Sequence, residues 1–294
     1  MISPKDCTIG FIGLGVMGKS MATHIMNAGY PVVVYTRSKE KAESILSLGA
    51  EWADSPMKVA SKANIIISMV GYPADVREIY LGEKGIIRSG KPHTYLIDMT
   101  TSTPTLAKEI YEEANKKDMY ALDAPVSGGD KGAREAKLSI MVGGDQDVFN
   151  KMKLIFDLMG SNVVYQGKAG SGQHTKMCNQ ITIASNMIGV CEAIIYAEKS
   201  GLDPETVLKS ISTGAAGSWS LSNLAPRMIK GDFEPGFYIK HFLKDMRIAL
   251  DEARKMEIVM PGLSLAEQLY TDLANLGEEN RGTQALYTYM SEKC

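Results

Sequence analysis

The chain has 294 residues, 45% of them hydrophobic and 22% charged, and its formal net charge is -2. This length allows one large domain or two medium domains with buried cores, and the composition is ordinary for a soluble globular protein. A charge so close to zero argues against nucleic acid or an anionic membrane as a partner. The apolar run from residue 9 to residue 17 is interrupted by glycines and lacks a basic leader and a cleavage site, so we do not expect a signal peptide. The four cysteines are scattered, which favours reduced thiols in the cytoplasm over a disulfide framework or a zinc site: Cys7, Cys178, Cys191 and Cys294.

The first half of the chain alternates short apolar runs with amphipathic stretches. This alternation predicts a parallel sheet with helices on both faces. The predicted strands are residues 8–12, 32–35, 65–69, 95–98, 120–123, 138–142 and 163–165, and the predicted helices are 15–28, 39–48, 104–117 and 145–159. The first domain is therefore expected to cover residues 1–165.

The pattern changes after Gly172, where helical periodicity continues to the end of the chain. A long helix is predicted over residues 174–199, ending at Ser200-Gly201, since glycine is frequent just past a helix end. Further helices are predicted over 204–212, 221–229, 239–255 and 263–275. Residues 166–294 are therefore expected to form an all-α domain for substrate binding and oligomerisation, connected to the first domain by the long helix.

A glycine-rich motif joins the first predicted strand to the first predicted helix. Gly13-Leu14-Gly15-Val16-Met17-Gly18 is a G-x-G-x-x-G, which in this setting is typical of a Rossmann-type dinucleotide-binding domain. Gly13 permits the tight turn, Gly15 allows close approach of a pyrophosphate, and Gly18 allows helix and strand to pack. The helix N-terminus, with Val16 and Met17 in the loop, would attract the phosphates. The alternative is a glycine-rich turn that binds nothing.

The end of the second strand distinguishes NAD from NADP. A carboxylate there would bind the ribose 2′-hydroxyl of NAD, but the sequence has Thr36 and Arg37 instead. Arg37 is suited to a 2′-phosphate, which favours NADP. Alternatively, Arg37 stacks on the adenine and either cofactor binds.

A hydride transfer from an alcohol needs a group that accepts the hydroxyl proton. None of the histidines has an adjacent acid in a relay-like pattern, which leaves Lys176 as the stronger candidate. Asn179 and Gln180 follow it at i+3 and i+4 and would share its helix face. Partial burial beside a cationic nicotinamide would lower the pKa of this lysine. The alternative is an ordinary surface lysine at a helix start.

A second polar segment follows the strand that ends at Asp123. In open α/β sheets, ligands bind outside the carboxyl ends of the strands. Ser127, with the N–H groups of Gly128 and Gly129, would there form a carboxylate-binding nest. A plain Pro/Gly turn is the alternative. No clustered carboxylates, histidines or cysteines suggest a metal, so none is predicted.

Together, these three motifs resemble the β-hydroxyacid dehydrogenase family, which includes 3-hydroxyisobutyrate dehydrogenases, tartronate semialdehyde reductases and the glyoxylate/succinic semialdehyde reductases. The resemblance covers residues 10 to about 287 and implies a metal-independent NAD(P) enzyme that forms homodimers or homotetramers. It implies that Lys176 is the catalytic lysine, and that Ser127, Gly128, Gly129 and Asn179 contact substrate. It also places Val70, Gly71, Asp75 and Thr101 at the nicotinamide half of the cofactor, with Phe237 and Lys244 closing over it. Where Gln180 stands some relatives have Asn, so either Asn179 or Gln180 would hold the substrate.

The resemblance also bears on the substrate. Trp219 matches a pocket tryptophan of the 3-hydroxyisobutyrate dehydrogenases, whereas Thr36-Arg37 is more typical of NADP-preferring reductases. We give the pocket more weight and expect oxidation of 3-hydroxyisobutyrate to methylmalonate semialdehyde. The alternatives are NADPH-dependent reduction of succinic semialdehyde, glyoxylate or tartronate semialdehyde, and a non-catalytic dinucleotide-binding module.

Overall fold

The computed structural model describes residues 3–293, so Cys294 lies outside the described residues. The chain divides into two compact units, Met1–Lys176 and Met177–Cys294, called here the N-terminal unit and the helical unit. Each has its own apolar core. A Rossmann-type domain followed by a helical domain is therefore the architecture, as predicted.

One sheet organises the N-terminal unit. Its strands run in the order β3-β2-β1-β4-β5-β6-β8-β7, with β9 paired to β8. The first six strands in this order are those of a dinucleotide-binding sheet, and the order reverses between β1 and β4. The strands are β1 (Ile9–Ile12), β2 (Val32–Tyr35), β3 (Glu51–Trp52), β4 (Ile65–Ser68), β5 (Tyr95–Asp98), β6 (Tyr120–Asp123), β7 (Val126–Ser127), β8 (Leu138–Gly144) and β9 (Gly160–Gly167).

Apolar side chains cover both faces of this sheet. Ile65 and Ile67 of β4 belong to one core cluster and Ile66 to another. This alternation follows from the two-residue period of a strand, and burial on both faces explains why the strands are continuous apolar runs. Gly10 in β1 lets the helix α3 (Pro56–Lys62) approach, since a Cβ at this glycine would lie 2.3 Å from Val59.

The sheet departs from the predicted parallel arrangement at one end. Strand β8 pairs antiparallel with both β6 and β7, while β8 and β9 are parallel. The reason is the connection: after β6 the chain forms β7 and the short helix α7 (Gly129–Arg134) and then turns back as β8. The connection from β7 to β8, residues 128–137, has ten residues, whereas a parallel crossover needs about a dozen or more.

The helices of the N-terminal unit follow local start signals. Ser55 and Thr103 accept a backbone N–H at the starts of α3 and α6, and a proline follows each of them at the first helical position. Helix α1 begins at Gly18, three residues later than predicted. The helices are α1 (Gly18–Asn27), α2 (Glu43–Leu46), α3 (Pro56–Lys62), α4 (Pro73–Leu81), α5 (Ile86–Ser89), α6 (Pro104–Asn115), α7 and α8 (Gln146–Asp157). The helices α3, α4, α5 and α7 were not predicted.

The helical unit packs around a single apolar cluster. Large buried side chains at its centre include Phe242 and Tyr270, whose rings meet edge to face at 5.1 Å. Its helices are the greater part of α9 (Ser171–Lys199), followed by α10 (Pro204–Ile211), α11 (Trp219–Asn223), α12 (Ala225–Ile229), α13 (Ile239–Lys255), α14 (Pro261–Leu273) and α15 (Leu286–Ser291). The predicted helices of this half are thus present; residues 221–229 form two short helices, and α15 was not predicted.

Helix α9 begins in the N-terminal unit and continues in the helical unit. Within residues 3–293 it is also the one helix long and apolar enough to cross a membrane, judged by length and composition alone. Half of its most apolar window is buried in the protein, and the core helix of a soluble protein meets the same criterion. This feature is therefore weak evidence for a membrane span.

Candidate active site

The glycine loop lies where β1 ends, at the strand beside which the sheet order reverses. Gly13 has φ +97°, and a Cβ on it would lie 2.2 Å from the Met69 carbonyl oxygen. A Cβ on Gly18 would lie 2.0 Å from the Gly13 carbonyl oxygen, so the third glycine lets α1 start against the loop. At Gly15 a Cβ would meet nothing within 4 Å. The open space over Gly15 and the adjacent start of α1 fit the pyrophosphate of a dinucleotide.

An exposed arginine and a half-buried carboxylate meet beside the end of β2. Arg37 Nη1 donates to Asp75 Oδ1 at 3.0 Å, and the Arg37 side chain is 78% exposed. The second carboxylate oxygen accepts the backbone N–H of Tyr72 at the start of α4. The structure therefore brings together Arg37, predicted at the 2′-phosphate from its place at the strand end, and Asp75, which the resemblance assigned to the nicotinamide half. Thr36, next to Arg37, is half-buried.

A buried polar network crosses the ends of β4 and β5. The Ser68 hydroxyl donates to Asp98 Oδ1 at 2.8 Å and also bonds the Tyr80 hydroxyl. The backbone N–H of Thr100 donates to the same carboxylate oxygen. Burial raises the pKa of Asp98 to about 6, against the lowering effect of these hydrogen bonds. The Thr100 hydroxyl accepts the backbone N–H of Val70 at 3.0 Å, so this network also holds the segment that contains Val70 and Gly71.

The end of β6 holds the start of α9. Asp123 Oδ1 accepts the N–H of Gly170 at 2.7 Å, and Asp123 Oδ2 accepts the N–H of Gln173 at 2.8 Å. Burial raises the pKa of Asp123, whereas the N–H groups that it accepts lower it. A carboxylate at this place satisfies N–H groups that the first turn of a helix cannot pair and complements the helix dipole.

Ser127, Gly128 and Gly129 form the passage from β7 into α7. Ser127 pairs with Ser139 in the sheet and is partly exposed. Gly128 and Gly129 have φ +129° and +62°, conformations that glycine adopts readily. The N–H groups expected to bind a carboxylate are thus at the start of a short helix.

Lys176 is the last residue of the N-terminal unit and lies in the first turns of α9. It is only 6% exposed. Lysine is almost never buried to this degree without a partner or a function, and Lys176 does take part in a polar interaction. The alternative of an ordinary surface lysine is therefore wrong.

Four polar side chains form a chain of contacts in the helical unit. Asn179 Nδ2 donates to Gln180 Oε1 at 2.7 Å, and Gln180 Nε2 donates to Asp245 Oδ2 at 2.6 Å. Asp245 is 1% exposed, and its other oxygen lies 3.0 Å from Lys244 Nζ. Gln180 is fully buried with both ends of its carboxamide bonded, whereas Asn179 is partly exposed.

Two aromatic residues of the helical unit were also predicted at the site. Phe237 packs against Phe242 with ring centroids 5.5 Å apart. Trp219 begins α11, which Ser218 caps, and its side chain is 65% exposed. Among residues 3–293, no group of three or more His, Cys, Asp or Glu is placed to hold a metal ion.

Two family models match consecutive parts of the chain and together cover almost all of it. The model described as the NAD binding domain of 6-phosphogluconate dehydrogenase matches residues 8–167. The model described as NAD-binding of NADP-dependent 3-hydroxyisobutyrate dehydrogenase matches residues 170–290. The chain belongs to the β-hydroxyacid dehydrogenase family.

Individual relatives of this dehydrogenase match it along nearly the whole length of both chains. An uncharacterized oxidoreductase, YkwC, of Bacillus subtilis is 66% identical over 95% of this chain and 97% of its own. The 2-hydroxy-3-oxopropionate reductase of Escherichia coli is 38% identical over 95% of each chain. The solved structure of Mycobacterium tuberculosis 3-hydroxyisobutyrate dehydrogenase with L-serine superposes with a TM-score of 0.89 at 29% identity, covering 97% of this chain and 99% of that one.

The dehydrogenase is therefore an NAD(P)-dependent oxidoreductase that acts on hydroxy acids. The predicted family, fold and cofactor class are confirmed. The relatives share the reaction class and differ in the substrate that their names state.

Several buried polar residues of the two units were not predicted from the sequence. Asp98, Asp123 and Gln173 are buried at the strand ends, and Asp245 is buried in the helical unit. Asp123 was noticed only as the first residue of the segment that leads to Ser127. A carboxylate directly at the end of a predicted strand, as Asp98 and Asp123 both are, was the available signal.

Proposed function

We propose that the dehydrogenase oxidises a small 3-hydroxy acid, 3-hydroxyisobutyrate to methylmalonate semialdehyde, with Lys176 as general acid and base. The burial of Lys176 carries this proposal. A lysine withdrawn from solvent at the start of α9, next to the carboxyl end of a dinucleotide-binding sheet, is suited to exchange a proton with a bound hydroxyl.

In this proposal each side chain has one task. Lys176 Nζ takes the hydroxyl proton during oxidation and returns it during reduction. Ser127 and the N–H groups of Gly128 and Gly129 bind the substrate carboxylate. We assign the contact with the substrate oxygen to Asn179, because Asn179 is partly exposed and Gln180 is buried. Gln180 holds the Asn179 amide in place through its Oε1. NAD(P), when bound, would supply the hydride chemistry at the carbon that bears the hydroxyl.

The cofactor is proposed to lie along the carboxyl edge of the sheet, in the domain of residues 1–165, with residues 166–294 as the substrate and oligomerisation domain. Arg37 would bind the 2′-phosphate with Thr36, which favours NADP. The ion pair with Arg37 supports a place for Asp75 at the adenosine half instead of the nicotinamide half. The other proposed contacts are Gly13, Gly15, Val16, Met17 and Gly18 to the pyrophosphate, and Val70, Gly71, Thr101, Phe237 and Lys244 to the nicotinamide half.

The exposed indole of Trp219 supports the choice of substrate, since its apolar face suits the methyl group of 3-hydroxyisobutyrate. The name of the structurally similar Mycobacterium tuberculosis enzyme, 3-hydroxyisobutyrate dehydrogenase, supports the same substrate. A second candidate is reduction of 2-hydroxy-3-oxopropionate (tartronate semialdehyde), which the name of the Escherichia coli relative supports.

The first experiment is the initial rate of 3-hydroxyisobutyrate oxidation with NAD and with NADP, beside NADPH-dependent reduction of 2-hydroxy-3-oxopropionate, succinic semialdehyde and glyoxylate. The highest kcat/KM identifies the substrate. We expect Lys176→Ala to lower kcat by about 10² to 10⁴ and to leave cofactor affinity nearly unchanged, as removal of a general base would. Lys168→Ala, at an exposed lysine just before α9, is the matched control. A Lys176→Ala variant with more than about a third of the wild-type rate would contradict this role.

We also propose a cytoplasmic homodimer or homotetramer. Large apolar side chains are exposed in the helical unit, including Tyr196 at 74% and Val259 at 85%, and a subunit interface would bury such residues. Light scattering after size-exclusion chromatography measures the subunit number, and a monomer at micromolar concentration would refute the proposal.

A further inference from the structure

Two buried side chains that the proposed reaction does not use hold the start of α9. The Asp123 carboxylate accepts the N–H groups of Gly170 and Gln173, one with each oxygen. The Gln173 side chain is also fully buried. Both residues belong to the N-terminal unit, as does Lys176.

The Gln173 carboxamide ties the same helical turn to the loop after β5. Its Nε2 donates to the carbonyl oxygen of Thr100 at 2.8 Å, and its Oε1 accepts the N–H of Ser102 at 2.9 Å. These bonds enclose Thr101, a proposed contact of the nicotinamide half of the cofactor. The first turn of α9 is thus bonded to the ends of two neighbouring strands, β5 and β6.

Two glycines make this attachment close enough to be rigid. A Cβ on Gly172 would lie 2.3 Å from the Met141 carbonyl oxygen and 2.8 Å from Asp123 Oδ2. A Cβ on Gly143 would lie 2.5 Å from Asp123 Oδ1 and 2.7 Å from the Gly172 nitrogen. A side chain at either glycine would push the helix start away from Asp123 and β8, so the helix cannot shift without breaking these contacts.

We propose that Asp123 and Gln173 are positioning residues for proton transfer: they fix the first turn of α9, and thereby Lys176, relative to the loop that contains Thr101. This inference rests on the proposed role of Lys176. Lys176 follows Gln173 by three residues, about one helical turn, so the orientation of the held turn sets where its Nζ lies. A misplacement of about 1 Å between reacting groups can lower a rate by about 100-fold.

The test compares Asp123→Asn with Gln173→Met. Asparagine keeps the size of Asp123 but sets an N–H₂ group against a backbone N–H, and methionine removes both hydrogen bonds of Gln173. For each we expect kcat at least about tenfold lower, with the KM for the hydroxy acid within about threefold of wild type. Asp203→Asn is the matched control, because Asp203 caps α10 through Thr206 N at 3.1 Å. It should lower thermal stability slightly and leave kcat unchanged.

A double-variant cycle separates positioning from general destabilisation. If Asp123 acts through Lys176, then Asp123→Asn combined with Lys176→Ala is no slower than Lys176→Ala alone. A multiplicative loss in the double variant, or a folded Asp123→Asn with wild-type kcat, overturns the inference while the role of Lys176 stands. A Lys176→Ala variant that keeps its turnover overturns the proposed function itself. If Asp123→Asn does not fold, Gln173→Met decides by the same cycle.

Discussion

If Arg37 binds the cofactor as proposed, the choice between NAD and NADP depends on the exposed charge of Arg37 and on the opposite charge of Asp75 beside it. If Arg37 binds the 2′-phosphate, Arg37→Ala must weaken NADP more than NAD, because NAD has no phosphate there. Asp75→Asn must have the opposite effect on NADP, since it removes a negative charge that is hydrogen-bonded to the same guanidinium. Asparagine keeps an oxygen that can accept the Tyr72 N–H at the start of α4.

The structure sets the size of both effects. A hydrogen bond to a charged group contributes about 1.5 to 3 kcal/mol, and with Arg37 78% exposed the lower figure applies. Arg37→Ala should therefore raise the Kd for NADP about tenfold more than the Kd for NAD. An exposed charge pair contributes about 0.2 to 1 kcal/mol, so Asp75→Asn should tighten NADP binding by up to about fivefold and leave NAD nearly unchanged.

Calorimetric titration of each variant with NADP and NAD measures these ratios directly, at low and at high salt. Arg77→Ala is the matched control, since Arg77 is another exposed arginine ion-paired to a carboxylate, that of Glu109. Equal losses of NAD and NADP affinity in Arg37→Ala would show that Arg37 only stacks on the adenine. Weaker NADP binding by Asp75→Asn would show that Asp75 supports Arg37 instead of competing for it.

Two further predictions concern the N-terminal unit. Gly18→Ala should lower the melting temperature by several degrees, because its Cβ would lie 2.0 Å from the Gly13 carbonyl oxygen. Gly15→Ala should keep the melting temperature of the wild type and lose cofactor affinity. Equal melting temperatures of the two variants would contradict this reasoning. Burial raises the pKa of Asp98 to about 6, so the folded protein keeps a proton that the unfolded chain releases near pH 4. The contribution of Asp98 to the free energy of unfolding therefore declines as the pH rises from about 4 to about 6. Between pH 4 and pH 6, the free energy of unfolding measured with denaturant should decline less in Asp98→Asn than in the wild type. Identical pH profiles of the two proteins would refute this prediction.

The elements that sequence patterns predicted best are those with a strong local signal. Strands such as β4 are runs of β-branched residues bounded by polar ones, and the glycine loop has a fixed spacing between strand and helix. The two-residue strands β3 and β7 are too short for any periodicity. Helix α7 contains two glycines, which suggested a turn.

The contacts that shape the site have no local signal at all. Asp123 meets Gly170 and Gln173 across 47 and 50 residues of sequence, and Arg37 meets Asp75 across 38. These pairs exist because parallel strands bring successive carboxyl ends to one edge. From a single sequence the edge can be predicted, but not which side chains on it bond one another.

The division of polar residues between the two units has a consequence for substrate choice. The glycine loop, the strand-end network and Lys176 all belong to the N-terminal unit. Side-chain oxygens of Thr100 and Asp123 there accept backbone N–H groups of the Val70 segment and of the first turn of α9. Trp219 and Phe237 belong to the helical unit. In the proposed roles Trp219 contacts the substrate and Phe237 the nicotinamide, so we expect substitutions around Trp219 to change the accepted acid while the supports of Lys176 stay in place. This agrees with relatives that share the length and fold of this dehydrogenase but are named for different substrates.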